Sequence, residues 1–284
     1  MKPLLTVLSY SGGRQSEFLL EQILRKRWAI PERFAVIVAN PGMEKCSTYR
    51  RIDAMERRCA RAGILFRRAR GPNLFSDLMQ MEPLKRSRID NPPLWVRNED
   101  GTRGQLMHGC TREYKIRPIR REARRLLRLM YGIPETSKGA RALANGALRH
   151  WVCFSADEER RVKPDTECRY AKVEYPLIDA QVGDADVSAF YAEAGIEPPE
   201  PSLCNGCPFH GLAMRKSQAS CEADFEQALL IDDAVRDMSR QGVQRPAYTS
   251  DTLIPLRELA ERNFSTGDDR KDDIHSCSSG YCFA

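Results

Sequence analysis

Residues 4–16, LLTVLSYSGGRQS, decide the fold that we expect for this chain. Five of the first six residues of this stretch are apolar or β-branched, which is typical of a buried strand. Gly12 and Gly13 permit backbone angles that a side chain would forbid, so we expect the strand to end in a tight turn. Apolar residues then recur at helical spacing over 17–27. The turn is therefore predicted to precede a helix, whose unpaired N–H groups can bind phosphate.

Strand and helix signals alternate along the chain after this turn. Residues 34–39 are predicted as a second strand, 48–62 as an Arg-rich helix and 64–67 as a third strand. Residues 71–105 lose periodicity, and we expect a long loop there with one short helix. A helix over 119–130 and a strand over 151–154 follow. The alternation predicts an α/β fold with a parallel sheet.

Composition restricts the class of protein. At 284 residues and 42% hydrophobic content, the chain could form one large or two modest domains. No run approaches the roughly 18 apolar residues that span a bilayer, and the N-terminus lacks a signal-peptide pattern, so we expect a cytoplasmic protein without a membrane partner. The net charge of +6 with 45 Lys and Arg suggests a partner that carries phosphate, either nucleotide or nucleic acid. A solvated basic surface is the plainer explanation of the charge balance alone.

Ten cysteines in that compartment favour metal ligands or redox-active thiols over disulfides. Cys110 is expected just before a helix N-terminus, where a thiolate is favoured, which suits metal ligation or nucleophilic chemistry. Cys204 and Cys207 form a Cys-x-x-Cys pair after a proline run, a spacing at which one metal or cluster can take both sulfurs. A redox pair or coincidence remains open. Cys277 and Cys282 lie on a polar tail, either as further ligands or as a mobile redox or persulfide-carrying pair.

Several motifs together resemble one known family. The SGGRQS loop resembles the pyrophosphate loop, SGGxxS, of the ATP pyrophosphatases, whereas it lacks the features of a Walker loop and of the three-glycine dinucleotide fingerprint. The pattern Cys-Thr-x-x-x-Lys-x-x-Pro over 110–118 is similar to the phosphoadenosine-phosphosulfate (PAPS) reductase-like branch of that superfamily. This branch includes the ATP-pyrophosphatase of DNA phosphorothioation systems and phage-encoded relatives. Residues 155–164, 175–177 and the cysteine-bearing tail resemble further segments of the same relatives.

The resemblance implies a fold and a set of site residues. Residues 1–180 would form a Rossmann-like domain of the adenine nucleotide alpha hydrolase-like type, and 181–284 a mainly helical region that carries metal-binding cysteines. The residues implied to contact ATP, with Mg²⁺, are Ser11, Gly12, Gly13, Arg14, Gln15, Ser16, Asn40, Glu44, Asp157, Arg161 and Lys163. For any one of the charged residues in 155–164, an exposed loop is an equally good interpretation.

The resemblance also implies the reacting groups and the metal. Cys110, Lys115 and Cys282 would take part in catalysis, with Lys115 in contact with a phosphate or sulfate. The implied metal ligands are Cys110, Cys204, Cys207, Cys277 and Cys282, which would hold an iron-sulfur cluster of the 4Fe-4S type, with zinc as the alternative. Three ligands would leave one iron open for sulfur delivery, whereas a fourth would close the cluster.

The function implied is that of an ATP-dependent sulfurtransferase. The enzyme would adenylate a substrate, a base or the backbone of tRNA or DNA, and would receive sulfur from a donor such as a cysteine desulfurase. One alternative is a thiol-dependent PAPS or adenylyl sulfate reductase, which would not cleave ATP. Another is a zinc-containing nucleic-acid-binding module without turnover. Release of pyrophosphate from ATP distinguishes the first function from the other two.

Overall fold

The structure is a computed structural model that describes residues 3–79, 92–136, 138–139, 143, 146–162, 169–200, 202–239 and 242–266. Three residues predicted to act in the site, Lys163, Cys277 and Cys282, lie outside this part of the chain. The domain boundary near residue 180 stays a prediction.

Five parallel strands form the central sheet, and three short antiparallel strands form a second one. The strands are β1 (Leu5–Tyr10), β2 (Phe34–Ala39), β3 (Leu65–Ala69), β4 (Trp95–Arg97), β5 (Arg103–Gln105), β6 (Leu148–Trp151), β7 (Ala171–Glu174) and β8 (Ala247–Tyr248). The order in the central sheet is β3-β2-β1-β6-β7, with Leu8 of β1 paired in register with Val36 and Trp151. The predicted α/β class and parallel sheet are confirmed.

Helices follow most strands and begin where the local sequence permits. They are α1 (Arg14–Leu24), α2 (Cys46–Arg61), α3 (Leu74–Met79), a π-helical turn (Arg112–Ile116), α4 (Arg117–Tyr131), a 3₁₀ turn (Ala156–Arg161), α5 (Pro176–Asp179), α6 (Asp184–Ala194), α7 (Leu212–Gln218), α8 (Glu222–Ala234) and α9 (Leu256–Glu261). No helix within the described residues is long and apolar enough to cross a membrane.

The central sheet is covered by helices on both faces. Alternate residues of a strand point to opposite faces, so Leu8 and Val7 enter different cores. On one face Leu8 packs with apolar residues of α1, α2 and α6, among them Phe18 and Phe190. On the other face Val7 packs with the apolar side of α4, including Leu126. Burial on both faces explains why β1 and β2 are almost continuously apolar.

The structure corrects three predictions of secondary structure. The strand predicted at 151–154 is β6, which begins three residues earlier, because polar Arg149 and His150 interrupt an apolar run without interrupting the pairing with β1. The helix predicted at 119–130 begins at Arg117, since Pro118 occupies the first turn, where its missing N–H costs no hydrogen bond. The predicted long loop contains β4 and β5, which pair with each other, and β4 also pairs with β8 from a distant part of the chain.

The strand order defines where a ligand can bind. From β1 the chain proceeds to β2 and β3 on one side, then crosses to β6 and β7 on the other side of β1. The connections that leave β1 and β6 therefore diverge, and a crevice forms at the carboxyl ends of these neighbouring strands. Residues 11–16, the glycine-serine loop, follow β1 directly at this crevice.

Candidate nucleotide and cysteine site

The glycine-serine loop is folded around the hydroxyl groups of its two serines. The Ser16 Oγ accepts a hydrogen bond from the Ser11 backbone N–H at 3.3 Å and lies 3.2 Å from the Ser11 Oγ. The Ser11 Oγ in turn accepts the Gly13 N–H at 3.2 Å. The N–H groups of Arg14, Gln15 and Ser16 begin α1, and no acceptor within the described residues bonds to them. Such a helix start favours a phosphate group.

Gly12 meets two requirements that only glycine satisfies. Its φ of +72° lies in the left-handed region, where side chains are strained. A Cβ at this position would also lie 3.0 Å from the Thr48 Cγ2 and 3.3 Å from the Ile52 Cγ1 of α2. The loop therefore packs closely against α2, and its backbone rather than a side chain faces the crevice.

The side chains of Arg14 and Gln15 contact α6. The Gln15 Nε2 donates to the Asp184 Oδ1 at 3.3 Å, and the Arg14 guanidinium donates to the Asp184 carbonyl at 3.4 Å and to the Ser188 hydroxyl. The Tyr191 hydroxyl donates to the Arg14 carbonyl at 2.9 Å. A nucleotide on this loop would consequently meet the backbone N–H groups of Arg14 and Gln15, since their side chains hold the loop against α6.

A buried network of polar side chains from β1, α1 and α2 supports the glycine-serine loop. The Tyr10 hydroxyl donates to the Glu17 carboxylate at 3.1 Å, and the Arg51 guanidinium pairs with the same carboxylate at 2.8 Å. Burial and the adjacent Glu17 raise the pKa of Tyr10 well above its usual value, so its hydroxyl stays protonated as a donor. These contacts fix the first turn of α1 against β1 and α2.

A cavity next to this crevice collects three of the predicted metal ligands. Cys110, Cys204 and Cys207 line one cavity that is partly open to solvent. Most of its other lining is apolar, including Met43 and Phe209. Cys110 begins the helical segment that leads into α4, whereas Cys204 and Cys207 come from the segment before α7. The fold thus brings the Cys-Thr and Cys-x-x-Cys motifs together.

A buried ion pair lies against these thiols. The Lys115 Nζ lies 2.9 Å from the Glu44 Oε1, and the Cys204 Sγ donates to the same oxygen at 3.6 Å. Burial and the Glu44 carboxylate raise the pKa of the Cys204 thiol well above its usual value, which Lys115 only partly offsets. The Glu44 Oε2 is buried and has no hydrogen-bond partner among the described residues. This oxygen is available to a proton, a cation or a donor on a ligand.

The Cys-x-x-Cys turn is held by a buried arginine. Arg215 of α7 is fully buried, and its guanidinium donates to the carbonyl oxygens of Asn205, Cys207 and Thr249 at 2.8–2.9 Å. Burial lowers the pKa of Arg215 to about 10, so the group remains charged at neutral pH. The Trp95 indole N–H donates to the Pro208 carbonyl at 3.1 Å and anchors the other end of the turn. Neither contact can be predicted from the sequence, because arginine is ordinarily an exposed residue.

One hydrogen bond joins the cysteine segment to the loop. The buried Ser202 Oγ donates to the Ser11 carbonyl at 3.1 Å. Cys204 follows two residues later, so at about 3.8 Å per residue its Cα lies within about 8 Å of the Ser202 Cα. The Asn205 N–H also donates to the Met43 carbonyl, just after β2. The loop and the cysteine cavity are therefore neighbouring parts of one site.

The three cavity sulfurs are not positioned for a single tetrahedral ion. A zinc ion with Zn–S bonds of about 2.3 Å holds its sulfurs about 3.8 Å apart. Cys110, Cys204 and Cys207 line the same cavity, but these three sulfurs do not all come within 4.8 Å of one another. A cluster of several iron atoms spans wider sulfur separations than one ion, and thiols in an apolar setting are its usual ligands.

The remaining predicted nucleotide contacts have partners within the protein. The Asn40 Oδ1 accepts the Gly42 N–H and the Tyr49 hydroxyl, each at 2.8 Å. The Asp157 Oδ2 accepts the N–H of Asp184 at 2.6 Å and thereby caps α6. The Arg161 guanidinium pairs with Glu158 and lies 4.4 Å from the centroid of the Phe154 ring. Any role of Asn40, Asp157 or Arg161 toward a nucleotide stays a prediction.

No family model matches the chain, and no curated protein matches it in sequence. The ATP-pyrophosphatase resemblance therefore stays an expectation carried by the motifs. At the coarser level, the structure establishes a five-stranded parallel sheet with helices on both faces.

Proposed function

We propose that the protein is an ATP pyrophosphatase that adenylates a substrate and thereby prepares it for sulfur transfer. The observation that carries this proposal is the position of the glycine-serine loop at the crevice between β1 and β6, joined through Ser202 to a cavity lined by three cysteines. A phosphate-binding helix start and a set of thiols on separate segments are the two parts that such a reaction needs.

The loop would hold the pyrophosphate portion of ATP. The N–H groups at the start of α1 point away from the helix, and the positive end of its dipole favours an anion by about 0.3–1 kcal/mol. Lys115 supplies a positive charge near the thiols, although its ammonium pairs with Glu44 in the absence of a ligand. Mg²⁺ would offset the remaining phosphate charge.

The reaction would proceed in two displacements. A substrate oxygen attacks the α-phosphorus of ATP, the bond from that phosphorus to the oxygen that bridges to the β-phosphate breaks, and pyrophosphate leaves with the bonding electrons while the substrate proton passes to a base. A sulfur nucleophile then attacks the carbon that bears the adenylated oxygen, and AMP leaves. Cys110, Cys204 and Cys207 would hold an iron-sulfur cluster, which supplies an iron site for sulfur. The protein itself would orient the two reactants.

Basic residues on α4 support a nucleic acid as the substrate. Arg117, Arg121 and Arg128 are exposed along the helix, whereas its buried apolar residues pack against the central sheet. Exposed arginines on one element suit contacts with successive phosphates, and binding through them should weaken steeply as salt is added. This feature favours tRNA or DNA over a small molecule as the acceptor.

The products of ATP cleavage test the proposal. Protein purified without oxygen is incubated with ATP labelled at the α- or the γ-phosphate, with tRNA, DNA or no acceptor. We expect labelled pyrophosphate, and AMP or an adenylated acceptor, in the presence of the correct nucleic acid. Formation of ADP and phosphate, or failure to bind ATP, would contradict the proposal. Conversion of adenylyl sulfate to sulfite without ATP cleavage would instead favour the reductase.

Two glycine variants distinguish displacement of the glycine-serine loop from a general loss of stability. Gly12→Ala places a Cβ against α2 at a φ of +72°, and Gly63→Ala introduces a similar strain at +69° where no atom lies within 4 Å. Both variants should lose about 1–2 kcal/mol of stability from the left-handed backbone. We expect only Gly12→Ala to lower pyrophosphate release, by more than about tenfold, because only this variant displaces the loop. Equal activity in the two variants would exclude the loop as the nucleotide site.

A further inference from the structure

A second group of cysteines lies outside the cavity used by the proposed function. The two Sγ atoms of Cys46 and Cys221 and a carboxylate oxygen of Asp224 all lie within 4.8 Å of one another. In the described part of the chain, no other set of His, Cys, Asp and Glu side chains offers three ligand atoms this close together. Cys46, which follows β2, is distant in sequence from Cys221 and Asp224, which lie together at the start of α8. The fold therefore assembles this group.

Two helix N-termini meet at this group. Cys46 is the first residue of α2, Cys221 directly precedes α8, and Asp224 lies in the first turn of α8. The positive ends of both helices favour negative charge, although burial and the Asp224 carboxylate raise the pKa of the Cys46 thiol to about 11. A bound cation would replace the thiol protons, and the helix ends would favour the negative charge of the two thiolates and the carboxylate.

The Asp224 carboxylate is fixed by donors other than the thiols. Its Oδ1 accepts the Cys46 backbone N–H at 2.8 Å and the Asn205 Nδ2 at 3.2 Å, and the side chain is almost fully buried. The Asn205 Nδ2 is itself held by the Gln227 Oε1 at 2.9 Å. Carboxylates that bind metal ions are usually held by hydrogen bonds of this kind. Cys46 and Cys221 are half-buried, so an ion can enter from solvent.

We propose that Cys46, Cys221 and Asp224 form a binding site for one thiophilic divalent cation such as Zn²⁺, with water as the fourth ligand. Two soft thiolates and one carboxylate suit Zn²⁺, whereas Mg²⁺ and Ca²⁺ prefer oxygen ligands alone. A tetrahedral ion requires its sulfurs about 3.8 Å apart, and rotation of the two cysteine side chains can bring the sulfurs to that separation. Two thiol protons leave to solvent as the ion binds.

The ion would stabilise the wall of the cysteine cavity. It would connect the segment between β2 and α2 to the start of α8. Glu44, which contacts Lys115 and Cys204 of the cavity, lies two residues before Cys46. Asn205, which donates to Asp224, lies within the Cys-x-x-Cys turn. The bound ion would therefore link the segment that carries Glu44 to the Cys-x-x-Cys turn. This inference is independent of the ATP chemistry, since it concerns residues that line no part of that cavity.

Cobalt titration of the full chain tests the site. The reduced protein, freed of metal with a chelator, is titrated with Co²⁺, whose thiolate charge-transfer and intense tetrahedral d–d absorptions report the ligands. Cys221→Ser and Asp224→Asn should each lower the affinity of one equivalent of Co²⁺ by more than about 100-fold, since loss of even an outer contact costs 10–100-fold. Glu222→Gln removes an exposed carboxylate from the same helical turn and should bind as the native protein does.

Cys207→Ser distinguishes this site from the cysteine cavity. The absorption assigned to Cys46 and Cys221 should persist in Cys207→Ser. Binding in Cys221→Ser and Asp224→Asn that equals that of the native protein would overturn the proposal, as would loss of the absorption in Cys207→Ser alone.

Alkylation of the native chain gives a second test that requires no variant. Zn²⁺ should slow the reaction of Cys46 and Cys221 with N-ethylmaleimide by more than about tenfold, as read by peptide mass spectrometry. Unchanged alkylation of both residues in the presence of Zn²⁺ would also overturn the proposal. So would a Cys46–Cys221 disulfide that forms in the reduced protein in spite of added Zn²⁺.

Discussion

Arg215 is the residue on which the Cys-x-x-Cys turn depends most, and replacing it by methionine tests this dependence. Methionine retains much of the length and volume of the arginine side chain, so the substitution removes mainly the charged donors. The guanidinium makes four hydrogen bonds, to the carbonyl oxygens of Asn205, Cys207 and Thr249 and to the Gln218 Oε1. Two of these carbonyls keep a second donor, because the Gln218 Nε2 also bonds to Asn205 and the His210 N–H to Cys207.

The expected loss of stability follows from the buried acceptors that remain without a hydrogen-bond donor. In Arg215→Met the Thr249 carbonyl and the Gln218 Oε1 lose the guanidinium, at about 1–3 kcal/mol for each buried group left unsatisfied. The weaker bonding of the other two carbonyls adds to this cost, and relief from burying a charge offsets part of it. We expect the free energy of unfolding to fall by about 3 kcal/mol. With a urea m-value of about 3 kcal/mol per molar, the unfolding midpoint moves down by about 1 M.

Urea unfolding and thiol alkylation together provide the assay. Lys216→Met is the matched control, because Lys216 is the exposed neighbour on α7 and should change the midpoint little. Cys204 and Cys207 should become alkylated faster in Arg215→Met than in the control, since their turn loses its main support. Arg215→Lys should be nearly as unstable as Arg215→Met, because one ammonium cannot replace a fork that spans three carbonyls. A difference of less than about 1 kcal/mol between Arg215→Met and Lys216→Met would refute the reasoning.

Three further outcomes are expected. Burial would raise the pKa of Glu21, but hydrogen bonds and charges from Arg58 and Arg25 outweigh burial, so the pKa is lowered. The ionised Glu21 carboxylate therefore stabilises the fold fully above its unfolded pKa of about 4.3, and this stabilisation is lost as the pH falls through the lowered pKa of the folded state. Glu21→Gln should therefore lose about 2 kcal/mol at pH 7 in urea unfolding, and the difference from the native protein should shrink below about pH 4; a constant difference would count against the pairing. Gly206→Ala places a Cβ 2.5 Å from the Ile231 Cγ2 and should lower stability by about 1–3 kcal/mol, as thermal unfolding would reveal, whereas an unchanged midpoint would mean that the turn relaxes freely. Ser202→Ala removes the bond to the Ser11 carbonyl and should cost about 1 kcal/mol in urea unfolding, with weaker ATP binding measured by calorimetry; unaltered affinity would show that the cysteine segment does not position the loop.

The parts of the fold that depend on local sequence could be predicted, and the parts that depend on distant pairing could not. The strand, turn and helix over 4–27 follow from apolar periodicity and from Gly12, which are local signals. In contrast, β4 pairs Trp95 with Tyr248, and neither short segment has the length or alternation of an independent strand. The buried position of Arg215 cannot be predicted from the sequence either, because Arg215 begins a polar run, Arg-Lys-Ser-Gln, and arginine is ordinarily an exposed residue. The proximity of Cys110 to Cys204 was expected only from the resemblance of their motifs.

The two cysteine groups differ in what they can do because their surroundings differ. Cys204 lies beside a carboxylate with one oxygen that has no partner among the described residues, and it lines a cavity next to the glycine-serine loop. Under the proposed function, chemistry at Cys204 could therefore reach a substrate held by that loop. Cys46 and Cys221 instead share a carboxylate whose Oδ1 already accepts two backbone or amide donors, which leaves the group rigid. Asn205 contacts both groups, since it donates to Asp224 and lies between Cys204 and Cys207. An ion on Asp224 would therefore restrict the turn that bears Cys204 and Cys207, and its removal should loosen that turn before it affects the central sheet.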